Sequence, residues 1–180
     1  VNVMSYNSDT LTEANYSSVQ NALRDSLIAA RDNGATKLII DLRNNGGGSS
    51  MMSQAIIALL VDGTQHFWAS DGRFNEEANA YEAINDYSFT GENLWEGREI
   101  LILTNSGSNS ATNHFAAFMQ EMPNVTVYGL TEPMGAGQGY GICSMNSGML
   151  SYSLTVILNE NSEIWVDSDE TGELRIPVDE

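Results

Sequence analysis

The chain has 180 residues, 42% of them apolar, enough for one globular domain with a real core. Seven Lys and Arg against 24 Asp and Glu leave a net charge of −17, which repels phosphate backbones and anionic lipid heads and argues against nucleic-acid and membrane-surface roles. No apolar run reaches the roughly 18–20 residues of a bilayer-spanning helix, and the lone Cys143 excludes an internal disulfide and a cysteine metal cage.

Starting at Val1 with neither an initiator Met nor a leader pattern, the sequence reads as a mature or trimmed fragment. Val1 to Tyr6 alternate loosely as a short strand. Thr10 or Thr12 caps a helix running to about Asp32, with Val19, Leu23, Leu27 and Ala30 at helical spacing and Gly34 as its stop. Leu38-Ile39-Ile40 is a continuous apolar run that suits a strand buried on both faces. Asn44-Asn45-Gly46-Gly47-Gly48 follows, then a helix from about Ser50 to Val61. Gln65 to Ala69 reads as a strand, and residues 71–97, acidic and dotted with aromatics, as an insertion of helical turns and loops. Glu99 to Leu103 is a second buried strand, closed by the polar run Thr104 to Ser110. A helix over Ala111 to Met122 is stopped by Pro123. Val125 to Gly129 is a strand and Thr131 to Gly141 a loop. Leu150 to Leu158 is a strand that pairs with Ile164 to Val166. Strands alternating with helices indicate an α/β domain spanning residues 1–180.

The supply of bases is narrow. Lys37 is the only lysine, and His66 and His114 are the only histidines. Chemistry that needs a lysine or histidine base must use one of these or borrow from outside the chain. His66, between Gln65 and Phe67-Trp68, reads as an ordinary strand residue.

Two segments carry chemistry. Asp41-Leu42-Arg43-Asn44-Asn45-Gly46-Gly47-Gly48 leaves the carboxyl end of a buried strand, where open α/β sheets place functional loops. Successive glycines let backbone N–H groups converge on an oxyanion; the alternative is a turn that only connects strand to helix. No phosphate-loop pattern is present. Asn105-Ser106-Gly107-Ser108-Asn109-Ser110-Ala111 also follows a strand and opens a helix. A serine there has its hydroxyl at a helix N-terminus, which suits a nucleophile whose attack creates negative charge; equally, serine is a common helix cap. The acidic run Asp167-Ser168-Asp169-Glu170 lacks the glycine-centred spacing of a calcium loop and reads as solvated. Asn15-Tyr16-Ser17 and Asn124-Val125-Thr126 are glycosylation sequons, relevant only to a secreted eukaryotic protein.

Together the two segments resemble the signature of the tail-specific, or C-terminal processing, serine peptidases: an IIDLR-N-N-x-GG segment and, about sixty residues later, a strand, N-x-x-S-x-S-A and a helix. Val125 to Gly129 and Gly135-Ala136-Gly137-Gln138 stand where that family has a strand ending in Gly and a Gly-Lys-Gly loop. The resemblance covers roughly residues 36–158. It implies the fold shared by Clp protease and crotonase, stacked ββα units, with no metal or cofactor. It implies Ser110 as nucleophile and the N–H groups of Gly47 and Ala111 as the oxyanion hole. It also implies a peptide or protein substrate and an extracytoplasmic location. The peptide-binding PDZ module common in the family is absent from these residues.

The departure concerns the base. The family's lysine position is Ala136, and no histidine precedes the DLR motif, where the tricorn-like relatives place one. Lys37 starts a strand and lies at the wrong end. His114 follows Ser110 by four residues on the same helical face, and helical side chains lean toward the N-terminus, so its imidazole is a candidate base; the alternative is a packed histidine in a slot usually apolar. A base from an upstream segment or partner chain is the second option. A peptidase-like domain without activity that binds peptides or another ligand is the third. Glu121 and Glu132 are the candidate carboxylates for an imidazole, and Gln138 lies two positions from the family's supporting glutamine. An acyl-thioester enzyme of the same superfold is a weaker reading, because few basic residues are available to hold a coenzyme A phosphate.

Overall fold

The computed structural model describes residues 13–63, 65–129, 138–158 and 161–166. In chain order these form α1 (Glu13–Asp32), β1 (Lys37–Asp41), α2 (Ser50–Leu60), β2 (Gln65–Asn75), β3 (Ala80–Thr90) and β4 (Glu99–Thr104). They continue with α3 (Ala111–Gln120), β5 (Val125–Gly129), β6 (Gln138–Met145), β7 (Gly148–Leu158) and β8 (Ile164–Val166).

The half of the fold that positions the site is parallel. β4 lies between β1 and β5, with Asp41 opposite Leu103 and Leu103 opposite Tyr128. Leu38, Ile40, Ile100, Ile102 and Val127 point to one side and are buried with Met52, Ile56 and Leu59 of α2 and Phe115, Phe118 and Met119 of α3. The expectation that β1 is buried on both faces is corrected: Ile39 is 49% exposed, and burial alternates along β1 and β4. An unbroken apolar run therefore follows the period of two of a sheet packed on one side. α1 lies against α2, with Leu27 buried and Tyr16, Leu23 and Ala30 partly so, while Val19 is exposed. Its stop is a Schellman motif: Gly34, at φ +86°, donates to Arg31 O at 2.9 Å, and Ala35 to Ala30 O at 3.0 Å.

The second sheet is antiparallel, in the order β3-β2-β7-β6 with β8 on β7. The expected insertion of helical turns over 71–97 is instead the end of β2, a turn, β3 and a short connection. The turn is shaped by Asn75, whose Oδ1 accepts from Glu77 N at 2.9 Å and Ala78 N at 3.2 Å, and by Asn79 at φ 49°. Phe74 and Tyr81 face each other across it, ring centroids 5.3 Å apart. Tyr81, Ala83, Tyr87 and Phe89 stand at a period of two, a strand signal that the acidic composition masked. Gly72 carries the hairpin onto β7, opposite Val156, where a Cβ would collide with Leu158. The buried Trp95 anchors the connection to β4, donating to Glu99 O at 3.3 Å beneath the Arg98 guanidinium.

α3 ends at Gln120, ahead of Met122, and β7 begins at Gly148, ahead of Leu150; β6 is a strand that the sequence did not suggest, beginning at Gln138 inside the segment expected to be a loop. β7 and β8 pair as expected, Ile157 with Val166 and Leu158 with Ile164. The strand expected over Val1 to Tyr6 lies outside the described residues, as do Ala136, Glu132 and residues 167–170. Among the described residues no helix is long and apolar enough to cross a membrane.

Candidate active site

β1 and β4 are parallel neighbours, so the loops after Asp41 and Thr104 emerge side by side at their carboxyl ends. Arg43 folds back on Asp41, with Nε to Oδ1 at 2.9 Å, Nη2 to Oδ2 at 2.6 Å and its backbone N to Oδ1 at 3.1 Å. This bidentate pair lowers the Asp41 pKa to about 2 and closes the first turn of the loop.

Side chains then join one loop to the other. Ser108, fully buried, donates through Oγ to Leu42 O at 2.8 Å and accepts from Asn105 N at 3.1 Å. Asn105 accepts from Asn44 N at 2.9 Å and donates to Asn44 Oδ1 at 3.0 Å. Asn109 N donates to Asn45 O at 3.1 Å. These asparagines and Ser108 have structural roles that the sequence reading did not assign; the signal was present in Asn-Asn and Asn-Ser pairs beside glycines, where short polar side chains replace backbone partners in turns.

Ser110 occupies the N-cap position of α3 and makes no side-chain cap hydrogen bond. Its backbone sits at φ 54°, ψ −128°, a region costly for any residue with a Cβ. A strained strand-to-helix turn of this kind is how α/β hydrolases present a nucleophilic serine. The two readings of this serine thus separate: Ser108 stitches the loops, Ser106 is exposed, and the Ser110 hydroxyl is not spent on capping. Ala111 is the first helical residue, so its N–H has no intrahelical acceptor.

Gly47, at φ +94°, packs its Cα against this turn; a Cβ there would stand 2.7 Å from Ser110 Cβ and 2.9 Å from Ala111 N. The glycine loop and the serine turn are therefore packed against each other. The Gly47 N–H donates to Asn45 Oδ1 at 3.1 Å. Beneath α3, Ser53 Oγ donates to Ala111 O at 3.2 Å, while Thr112 Oγ1 and both side-chain polar atoms of Asn113 are buried without a hydrogen-bond partner.

The candidate bases divide by position. His114 is half-buried in the first turn of α3, its N–H donating to Ser110 O at 3.1 Å. Lys37 pairs with Glu99 at 2.5 Å at the opposite end of β1, about 13 Å along the strand from Asp41. Glu121 is the C-cap of α3, seven residues after His114 and about 10 Å from it along the helix axis. His66 lies on β2 opposite Phe89, outside both loops. The Asn124 side-chain nitrogen, in one of the two sequons, donates to Arg98 O at 2.8 Å.

Comparison with known proteins bears on the family and the fold. The profile described as Peptidase family S41 matches residues 3–167. A "Probable CtpA-like serine protease" of Staphylococcus saprophyticus is 29% identical over 112 residues, covering 62% of this chain and 22% of that protein. The photosystem II D1 C-terminal processing protease superposes with a TM-score of 0.63 at 18% identity, over 89% of this chain and 37% of that one. A structure from Parabacteroides merdae described as a peptidase gives 0.65 at 24% identity, over 87% and 47%. The chain thus spans about a fifth of its curated relative and less than half of these solved structures. The fold is the mixed α/β, ClpP/crotonase-like architecture of those structures, and the chain belongs to peptidase family S41.

Proposed function

We propose that this chain is the catalytic core of a serine peptidase acting on peptide or protein substrates. Ser110 Oγ attacks the scissile carbonyl while a base takes its proton, and the tetrahedral oxyanion is held by the N–H groups of Gly47 and Ala111. Collapse breaks the C–N bond, the amine leaves with the proton, and water hydrolyses the acyl-enzyme. The observation that carries this reading is the Ser110 turn, strained, uncapped and in contact with Gly47.

The base that this chain offers is His114, one helical turn after the nucleophile. Ala136 stands at the position of the family lysine, and this replacement favours a second reading, an inactive domain that holds peptides in the old cleft. An extracytoplasmic location goes with the peptidase reading.

Fluorophosphonate labelling followed by mass spectrometry decides between these readings. Labelling of Ser110 that vanishes with Ser110→Ala and with His114→Ala supports the full assignment. Labelling that survives His114→Ala moves the base elsewhere and keeps the peptidase. Absence of labelling in the folded chain, with labelling gained in Ala136→Lys, supports the inactive binding domain.

A further inference from the structure

Gly47 is asked to do two things with one proton. Its N–H is a proposed oxyanion donor, yet in this structure it is bonded to Asn45 Oδ1 at 3.1 Å. An N–H group makes one good hydrogen bond, so an oxyanion at this position must displace the Asn45 side chain.

The surroundings confine the motion that would do this. Asn45 is 4% exposed, and its backbone is held at both ends: its N–H donates to Leu42 O at 3.1 Å and its carbonyl accepts from Asn109 N at 3.1 Å. Release therefore falls to rotation of the Asn45 side chain or to reorientation of the Gly46–Gly47 peptide. That peptide joins two residues without a Cβ, so it turns over at little steric cost. A Cβ at Gly46 would meet nothing within 4 Å, whereas Gly47 is packed against Ser110 and Ala111. The movable unit is thus a single peptide plane at the rim of the site, on a loop otherwise held by bonds to the serine turn.

We infer that Asn45 is a latch on the oxyanion hole, holding the Gly47 N–H in the resting protein and releasing it when a substrate oxyanion forms beside Ser110. This rests on the assignment of Ser110 and Gly47 above. Asn45 is a positioning residue, acting through Gly47. The latch withholds the oxyanion hole from weakly bound molecules. It makes acylation depend on a ligand that competes for the donor.

Two substitutions pull the latch in opposite directions. Asn45→Leu keeps the branching at Cγ and removes the acceptor. Asn45→Asp offers a charged and stronger acceptor and places a negative group where the oxyanion forms. The rate of fluorophosphonate acylation at Ser110 is expected to rise about three- to tenfold in Asn45→Leu and to fall at least as much in Asn45→Asp. A residue that only braced the loop would slow both. The wild-type chain supplies a test without substitution: the Gly47 amide proton is protected from exchange in the free protein, and its NMR resonance moves on phosphonylation of Ser110 as the acceptor changes. Labelling of Ser110 with Asn45→Leu no faster than wild type, or a Gly47 resonance identical in free protein and adduct, overturns the latch and leaves the peptidase standing. Absence of Ser110 labelling in wild type and both variants overturns the peptidase assignment, and the latch falls with it.

Discussion

Gly47 and Ser110 are in direct contact although 63 positions apart, so close that a methyl group on Gly47 would stand 2.7 Å from Ser110 Cβ. The glycine loop after β1 and the serine turn before α3 are consequently packed directly against each other.

Gly47→Ala is expected to fail twice. The φ of +94° disfavours any side chain, and the added methyl meets backbone atoms of Asn109 and Ala111 that have little room to yield. The expected outcome is a loss of about 2–4 kcal/mol of stability by urea unfolding, with no Ser110 acylation at temperatures where the variant remains folded.

Ser110→Gly separates stability from function. The serine holds a costly conformation and its hydroxyl caps nothing, so glycine relieves strain without losing a bond. Calorimetry is expected to show the variant about 1 kcal/mol more stable, with acylation abolished. An unchanged or lowered melting temperature would remove the argument for strain at this turn.

Ser108→Ala tests the stitch between the loops. The hydroxyl is fully buried between Leu42 O and Asn105 N, and its removal leaves both groups without that partner. A loss of about 1–3 kcal/mol is expected by chemical denaturation, larger than for the exposed Ser106→Ala.

Thr112→Val runs the other way. Thr112 Oγ1 is buried beneath α3 with no hydrogen-bond partner, so an isosteric methyl removes a desolvated hydroxyl and loses nothing. The variant is expected to match or exceed wild-type stability; a loss above about 1 kcal/mol would mean that the hydroxyl is satisfied in solution.

The Asp41–Arg43 pair sets a pH limit. Arg43 holds the Asp41 pKa at about 2, below its unfolded value of about 3.9. For a depressed carboxylate the contribution to stability is complete above the unfolded pKa and is lost as pH falls through the folded one. The window is therefore about pH 4 down to 2, and the size is small because the pair is partly exposed. Asp41→Asn should flatten stability over that window and lower it by a small amount that does not vary between pH 5 and 8, measured by urea unfolding against pH.

What was legible beforehand is local. The Gly34 stop, the apolar runs of β1 and β4 and the helix after Ser110 are written in nearest-neighbour terms, in positive φ, strand length and helical periodicity, and each stands where expected. The hairpin of β2 and β3 was legible only in part: its period of two is present, but its acidic composition resembles a solvated insertion until Gly72 places it against Leu158.

The sequence by itself determined which atoms are available for chemistry: one lysine, two histidines, a glycine run after one strand and a serine before a helix. Covalent order and local propensity suffice for that. Only the tertiary structure decided which serine is presented and which is buried, and that Gly47 packs against Ser110. Each of these depends on parallel pairing of strands distant in sequence, which brings two loops to the same sheet edge, and no propensity within either loop encodes that distance.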